Sequence, residues 1–254
     1  EQVARSVGSV VLALKELAIS ARPAPWNAPV TTHRRWVSAD VSFDEVRAIR
    51  RRTDATVNDI VLALCAGALR DYLLFHGEEV KGRTLKAMVP VSQRHEDGHG
   101  GTLGNKVSLI VAGLPIGEDD PAARLREIHQ QTTELKASAL ADGVETMVNA
   151  AGEFTLLAAP MARLLTHSIP MNLVITNIPG PREPLFVRGA EVQRAYPYVE
   201  VIDNEGLTIA VLSYVDHLLF GLTSDRDLMP DLHLIAEGIE KGVQRLADAL
   251  SDDC

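Results

Sequence analysis

The chain has 254 residues, 46% of them hydrophobic and 23% charged, so it can bury a sizeable core as one large domain or two small ones. Its formal net charge of -9 argues against binding to nucleic acid, because proteins that bind polyanions usually present a basic face. No apolar run reaches the roughly 18 residues that would indicate a membrane-spanning helix, and Cys65 and Cys254 form no disulfide framework or metal-site spacing, which is typical of a reducing cytoplasm.

The first segment predicts a helix followed by a proline-rich crossover. Apolar residues recur at helical spacing over residues 2–19, and three prolines within residues 21–30 then exclude a regular helix. We interpret residues 1–33 as a helix with a linker or extended arm, and residues 34–254 as the main domain. Because the chain starts at Glu1, within the predicted helix, and not at a methionine, we expect it to be a piece of a longer protein.

A short strand and a capped helix come next. Residues 36–41 alternate in the manner of a strand. Ser42 and Glu45 have the spacing of a capping box, in which each side chain bonds the other residue's backbone, so we predict a helix over residues 43–52.

A second capping pattern opens the most apolar segment of the chain. Thr56 and Asp59 have the spacing of a capping box, and the following residues predict a helix to about Phe75, with Gly77 beyond its end. Because this helix is apolar almost all round, we expect it to be buried on most sides and central to the fold.

The remaining pattern alternates strands with helices, which indicates an α/β or α+β layered domain. A tight connection around Asp216 joins the last two strands, so the sheet is predicted to be mixed and not purely parallel. The predicted strands cover 84–91, 105–113, 171–176, 185–187, 207–215 and 218–223. Three further helices are predicted: one that starts at Asp120 and Pro121, one over 143–166, and a closing helix from Leu232 to Leu250.

Two features that suggest chemistry have simpler explanations. His95 and His99 flank two acidic residues, but three glycines in residues 94–101 break any helix that would align them on a metal, so a solvated loop is the favoured interpretation. Cys65 lies inside the most apolar helix, where no cation or helix N-terminus would activate a thiolate, so core packing is favoured over a nucleophile.

Two other features leave both interpretations open. Asn58 and Asp59 lie in the first turn of the buried helix, where Asp59 suits the cap and the helix dipole, yet buried polar groups there can also orient a neighbouring catalytic loop. Residues 177–182 form a stiff turn in which Gly180 permits a backbone shape that other residues resist. This turn, like residues 104–106, either simply redirects the chain or lines a pocket.

Five segments, taken together and in this order, resemble the C-terminal half of bacterial wax ester synthase/diacylglycerol acyltransferases. Each segment is weak alone, but their order and spacing are specific, and the likeness runs from Arg34 to Leu250. The segments are ATVNDIVLALCAGALRDYL (55–73), PVSQR (90–94), GNKVS (104–108), TNIPGPREPLFVRGAEV (176–192) and SYVDHLLFGLTSD (213–225).

The resemblance implies that this chain is one half of a coenzyme A-dependent acyltransferase. Its expected α/β (α+β) fold is a chloramphenicol-acetyltransferase-like mixed sheet flanked by helices, and the substrate tunnel is expected between the two halves of the enzyme. It implies transfer of a fatty acyl group from acyl-CoA to diacylglycerol or a long-chain alcohol, with acyl-CoA as a substrate and no resident cofactor. In that family a histidine of an HHxxxDG motif is the general base. No histidine of this sequence stands in such a motif, so we expect the base in a missing N-terminal part and no catalytic residue or metal here.

The resemblance also carries over a set of residues that would support the active site or line the substrate tunnel: Asn58, Asp59, Arg94, Asn105, Thr176, Asn177 and Gly180. The expected partners are the N-terminal half of the same acyltransferase, acyl-CoA and the acyl acceptor. We expect a cytoplasmic location, with contact to the inner membrane or lipid inclusions. The competing hypotheses are a non-catalytic acyl- or lipid-binding module and a domain that docks on lipid droplets.

Overall fold

A six-stranded mixed sheet forms the centre of the computed structural model, which describes residues 22–92, 107–137 and 171–252. The strands are β1 (Arg34–Ser42), β2 (Leu85–Ser92), β3 (Val107–Leu114), β4 (Leu173–Ile178), β5 (Phe186–Val187), β6 (Ala190–Glu191), β7 (Leu207–Tyr214) and β8 (His217–Asp225). The helices are α1 (Phe43–Arg52), α2 (Val57–Phe75), α3 (Pro121–Ala137) and α4 (His233–Asp252).

The central sheet has the order β1-β8-β7-β4-β2-β3, and β5 pairs with β6 in a separate hairpin. β4 runs parallel to both β2 and β7, whereas the other neighbours pair antiparallel. A two-residue connection joins β7 to β8, with Val215 at a φ of 52° in the left-handed region. The prediction of a mixed sheet with helices is therefore confirmed.

The four helices of the described residues cover one face of this sheet. Alternate strand residues such as Ile209 and Phe220 join the main hydrophobic core together with buried residues of every helix, as the two-residue period of a strand requires. α2 lies at the centre, with twelve of its residues buried, which confirms the prediction from its apolar sequence. Cys65 is one of them, and burial raises the pKa of its thiol to about 12, so it packs in the core as expected.

An extended segment, residues 192–200, lies over part of the second face of the sheet, against β1, β7 and β8. The Pro197 carbonyl oxygen lies so close to Gly221 of β8 that a Cβ at that position would overlap it. The Thr208 hydroxyl of β7 donates to the Glu200 carbonyl oxygen at 3.1 Å. A glycine in the middle of a strand therefore makes room for chain that has no regular structure of its own.

The proline-rich crossover is fixed to the domain, although it contains no helix or strand between residues 22 and 33. The Trp26 indole is fully buried and donates from Nε1 to the Asn172 carbonyl oxygen at 2.7 Å. Asn27 and Asn172 also bond each other through their side chains at 2.8 Å. Residues 22–33 are thus part of the packed structure, while the proposed domain boundary at residue 34 stays a prediction.

A buried carboxylate fastens the end of the crossover to β8. Asp225 is fully buried and accepts hydrogen bonds from the Thr31 amide and hydroxyl and from the backbone of Asp227 and Leu228. Burial opposes ionisation, but the hydrogen bonds outweigh it and lower the pKa of Asp225 to about 2.

This arrangement predicts a loss of stability in acid. Because the pKa of Asp225 is depressed in the folded state, its contribution of about 2 kcal/mol is present above the unfolded pKa near 4 and is lost as pH falls towards about 2. Urea unfolding of the wild type and Asp225→Asn between those pH values should show a flatter pH dependence in the variant. Asp227→Asn, at an exposed neighbour, should keep the wild-type slope; equal slopes for all three proteins would contradict the assignment.

The predicted elements agree with the structure to within one or two residues wherever the chain is described. Helix α1 has the predicted bounds, and the Ser42 hydroxyl accepts from the Glu45 amide at its start. Strand β6 was missed because two residues carry no periodicity. The helices predicted over 2–19 and 143–166 lie outside the described residues. Among those that the structure describes, no helix is long and apolar enough to cross a membrane.

Candidate functional site

One edge of the sheet gathers most of the residues singled out from the sequence. The parallel strands β2, β4 and β7 end there at Ser92, Ile178 and Tyr214, and we call this side the carboxyl edge. In open α/β sheets ligands bind outside the carboxyl ends of parallel strands. The carboxyl edge is therefore the side of the sheet where a ligand-binding site is expected.

The N-terminus of α2 lies at the same edge. α2 leads through a short loop into the start of β2, so the helix runs antiparallel to that strand. Near its other end, Arg70 donates to the Ile116 carbonyl oxygen at 2.7 Å, just beyond the end of β3 on the opposite edge. Asn58 and Asp59, in the first turn of α2, are thereby placed towards the carboxyl edge.

Asp59 is fully buried and joins α2 to α3. Its carboxylate accepts from the Thr56 amide at 2.8 Å, while its own amide donates to the Thr56 hydroxyl, which completes the predicted capping box. The same carboxylate contacts His129 Nδ1 at 2.9 Å and accepts from the Thr132 hydroxyl at 2.7 Å. The cap prediction is confirmed, and Asp59 also fixes the packing of two helices.

The environment of Asp59 favours its ionised form. Burial of the carboxyl group raises its pKa, but hydrogen bonds with His129, Thr132 and Thr56 together outweigh burial and lower it below the ordinary value. An ionised carboxylate can only accept hydrogen bonds, so Nδ1 of His129 carries the proton that is shared with Asp59. A neutral His129 then has Nε2 as its basic nitrogen, held in a fixed ring orientation.

Asn58, the other half of the predicted pair, is half-buried. Within the parts of the chain that the structure describes, its side chain makes no hydrogen bond. The capping interactions therefore belong to Asp59, and the Asn58 amide remains available to another group.

The turn after β4 reaches the carboxyl edge from the neighbouring strand. The Gly180 amide donates to the Ser213 hydroxyl at 3.0 Å, and Val215 donates to the Pro181 carbonyl oxygen at 3.0 Å. A Cβ on Gly180 would overlap the Ser213 carbonyl oxygen. Gly180 does not have a positive φ, so the prediction that this position needs glycine for its backbone conformation is wrong. The close approach to β7 is the constraint that the structure shows.

Thr176 and Asn177, near the end of β4, lie on opposite sides of the sheet. In the register of β4 with β7, Thr176 pairs with Ala210 on the second face, while Asn177 pairs with Val211 on the face that the helices cover. Both side chains are half-buried. The topology thus brings Asn58, Asp59 and the turn to one edge, whereas Arg94 and Asn105 lie outside the described residues.

Sequence reasoning missed the partners of Asp59. His129 and Thr132 are about seventy residues further along the chain, so no local motif connects them to the cap. Thr132 does carry a signal, since it is a polar residue on the otherwise apolar face of the helix predicted from Pro121. A polar residue at a buried position needs a partner, although the pattern does not tell which one.

A second ionic cluster lies on the other face at the same edge. Asp40 of β1 contacts His217 Nδ1 at 2.7 Å through one oxygen and Arg194 Nε at 2.6 Å through the other. Each of the three side chains is about one-third exposed. The cluster ties the extended segment to the sheet, and solvent screening makes its contribution to stability small.

Comparison with known proteins matches two family descriptions to this chain. Residues 103–247 match the WS/DGAT C-terminal domain, and residues 2–61 match the wax ester synthase/diacylglycerol acyltransferase catalytic domain. The chain is 34% identical to a probable diacylglycerol O-acyltransferase of Mycobacterium tuberculosis, over 87% of this chain and 48% of that protein. It is 32% identical to the O-acyltransferase WSD of Acinetobacter baylyi, over 86% of this chain and 47% of that protein.

Solved structures show the same fold. A wax ester synthase/diacylglycerol acyltransferase from Marinobacter aquaeolei VT8 superposes with a TM-score of 0.73 at 28% identity, over 95% of this chain and 57% of that one. The epimerization domain of tyrocidine synthetase B superposes with a TM-score of 0.62 at 11% identity, over 97% of this chain and 56% of that one, which indicates a shared fold alone. The chain spans about half the length of the curated relatives it matches.

Proposed function

The chain belongs to the wax ester synthase/diacylglycerol acyltransferase family, and from this premise we propose that the whole protein moves a fatty acyl group from acyl-CoA to diacylglycerol or a long-chain alcohol. The names of two relatives support the proposal, since both are O-acyltransferases. Acyl-CoA enters as a substrate, and the proposal includes no resident cofactor.

The proposed reaction needs a base and a stabilised oxyanion. The acceptor hydroxyl oxygen attacks the thioester carbonyl carbon while a neutral imidazole takes the hydroxyl proton. The new C–O bond forms, the C–S bond breaks, and the proton passes to the leaving thiolate. Hydrogen-bond donors must stabilise the oxyanion between these steps. We assign the base to an HHxxxDG motif outside this sequence, in the N-terminal half of the same enzyme.

This chain contributes the wall and the support of the proposed site. The observation that carries this assignment is Asp59, a fully buried carboxylate that holds the start of α2 and two residues of α3 at the carboxyl edge. Hydrogen-bonded supports of this kind keep the groups around a reaction centre in place. We assign Asn58, Arg94, Asn105 and the turn from Thr176 to Gly180 to the tunnel wall beside it.

A non-catalytic lipid-binding or docking module is the second candidate. The observation in its favour is the β5–β6 hairpin, where Leu185, Phe186 and Val187 are 48%, 63% and 63% exposed. Exposed apolar clusters mark surfaces that bind proteins or lipids. A cytoplasmic enzyme that contacts the inner membrane or lipid inclusions through this hairpin would also expose them.

We expect the chain by itself to transfer no acyl group from palmitoyl-CoA to hexadecanol or to diacylglycerol, because the proposed base is absent. Addition of the N-terminal half should restore transfer, measured by thin-layer chromatography of radiolabelled product. Full-length protein assayed with both acceptors serves as the reference. Transfer by this chain alone would contradict the base assignment, and an inactive full-length protein that still binds acyl-CoA would favour the lipid-binding candidate.

A further inference from the structure

A cavity of about 90 Å³ lies between α2, α3 and α4, away from the carboxyl edge. Small residues form part of its lining, among them Ala63 and Gly67 of α2 and Gly238 and Gly242 of α4. A single water molecule needs only roughly 10–15 Å³ by the same measure, so the cavity has room for a small polyatomic ion.

Two arginines in the wall of this cavity have no carboxylate partner among the described residues. Arg70 donates to the Ile116 carbonyl oxygen at 2.7 Å, and Arg124 donates from Nη2 to the Glu118 carbonyl oxygen at 2.7 Å. Arg124 is only 6% exposed. Carbonyl oxygens satisfy some of the N–H donors, but neither guanidinium group forms an ion pair with a described residue, and buried charges are normally paired.

Donors of both guanidinium groups remain available to the cavity. Arg124 Nη1 makes no hydrogen bond to any residue that the structure describes, and it lies 2.8 Å from the place where a Cβ on Gly67 would be. Arg70 bonds through Nη1 only, which leaves its Nε and Nη2 without a partner in the same part of the chain. An arginine presents its donors as a planar fork that suits a tetrahedral oxyanion.

The cavity lining carries charges of both signs. Three arginines and two aspartates line it, and one of these aspartates, Asp71, is already bound by Arg245 Nη1 at 2.6 Å. The carboxylates of Glu118 and Asp120 act on Arg124 from outside the lining. Burial and then the charge of Arg70 lower the pKa of Arg124, against opposing effects of Asp71, Glu118 and Asp120. A bound anion would relieve the repulsion between the two guanidinium groups.

We propose that this cavity binds a phosphate group, held by the forks of Arg70 and Arg124, with Arg245 at its mouth. A Cβ at position 67 would meet Arg124 Nη1, so a larger residue there should shift the fork that would hold the phosphate. Gly238 has another explanation, since it packs against Ala68 and lets α4 approach α2 closely. The site is separate from the carboxyl edge, and its test does not depend on acyl transfer.

Isothermal titration of the full-length protein with inorganic phosphate, at constant ionic strength in chloride, tests the proposal. We expect saturable binding that Arg70→Gln weakens by at least about tenfold, because a charge-assisted hydrogen bond is lost. Arg245→Gln, at an exposed position that should fold normally, should weaken it by a smaller factor. Arg226→Gln, an exposed arginine that is ion-paired outside the cavity, is the matched control and should stay within about twofold of wild type.

A parallel titration with adenosine 3′,5′-bisphosphate separates the two sources of such a phosphate. If the bisphosphate binds more tightly than inorganic phosphate, and Arg70→Gln loses the same factor of affinity, the site binds the phosphate of a nucleotide. If the two ligands bind equally, the site binds the free ion. Either result retains the site. Absence of saturable binding in the folded wild type, or equal binding by wild type, Arg70→Gln and Arg245→Gln, would overturn the proposal.

Discussion

Replacement of Asp59 by alanine should lower the free energy of unfolding by about 3–5 kcal/mol, the cost of breaking a buried charged network by removal of one partner. The change removes the acceptor for the Thr56 amide and the Thr132 hydroxyl and leaves His129 without its partner. The Thr56 hydroxyl keeps its bond with the amide of residue 59, so only the Asp59 half of the capping box is lost. Urea unfolding followed by circular dichroism measures the effect.

Activity of the full-length protein then decides whether the network serves more than the fold. Asp59→Ala should reduce acyl transfer, but a fall in proportion to stability would leave Asp59 with the capping role alone. Asn58→Ala is the sharper probe, because Asn58 is half-buried and its substitution should change stability by no more than about 0.5 kcal/mol. Reduced transfer by Asn58→Ala at unchanged stability would place Asn58 in the working site; unchanged transfer would exclude it.

The second large effect is expected at Trp26 in the crossover. Trp26→Ala should lower the free energy of unfolding by about 3–5 kcal/mol, because the indole is fully buried and its removal leaves a cavity. The ring also packs edge-on against Tyr72 of α2, with 6.2 Å between ring centroids. Equilibrium unfolding in urea, monitored by far-UV circular dichroism, measures the change without relying on tryptophan fluorescence.

Two variants control for this substitution. Trp26→Phe keeps most of the packing and loses the hydrogen bond to the Asn172 carbonyl oxygen, so its cost should be smaller, about 1–2 kcal/mol. Pro29→Ala, at an exposed position of the same segment, should have little effect. If Trp26→Ala cost no more than Pro29→Ala, the crossover would not belong to the cooperatively folded unit.

The sequence patterns predicted local structure well because caps and periodicity act over a few residues. Thr56 and Asp59 are three positions apart, and their reciprocal bonds set the start of α2 whatever surrounds it. Alternating and helical periods likewise predict which side of an element is buried. They do not predict which other element that side packs against. The sequence therefore predicted a layered domain of sheet and helices but not the order of its strands.

The long-range contacts of the fold and of the candidate site were beyond this reasoning. Trp26 bonds a residue 146 positions away, and Asp59 bonds one 70 positions away. Such pairings depend on the order of strands in the sheet, which no local pattern specifies. Gly180 shows the same limit, since its constraint comes from the approach of β7 and not from the turn that contains it.

The two faces of the sheet are covered by different amounts of packed structure, and this difference should decide which described segment unfolds locally first. The helix-covered face is closed by a continuous core, whereas residues 192–200 hold the second face through a few contacts such as the Trp36–Tyr196 ring pair. Segments with few buried contacts open with small free energies, long before the domain unfolds. In deuterated water the amides of this segment should exchange early while those of β7 beneath it stay protected. Opening of this segment would then uncover the part of the second face formed by β1, β7 and β8 and leave the sheet itself intact.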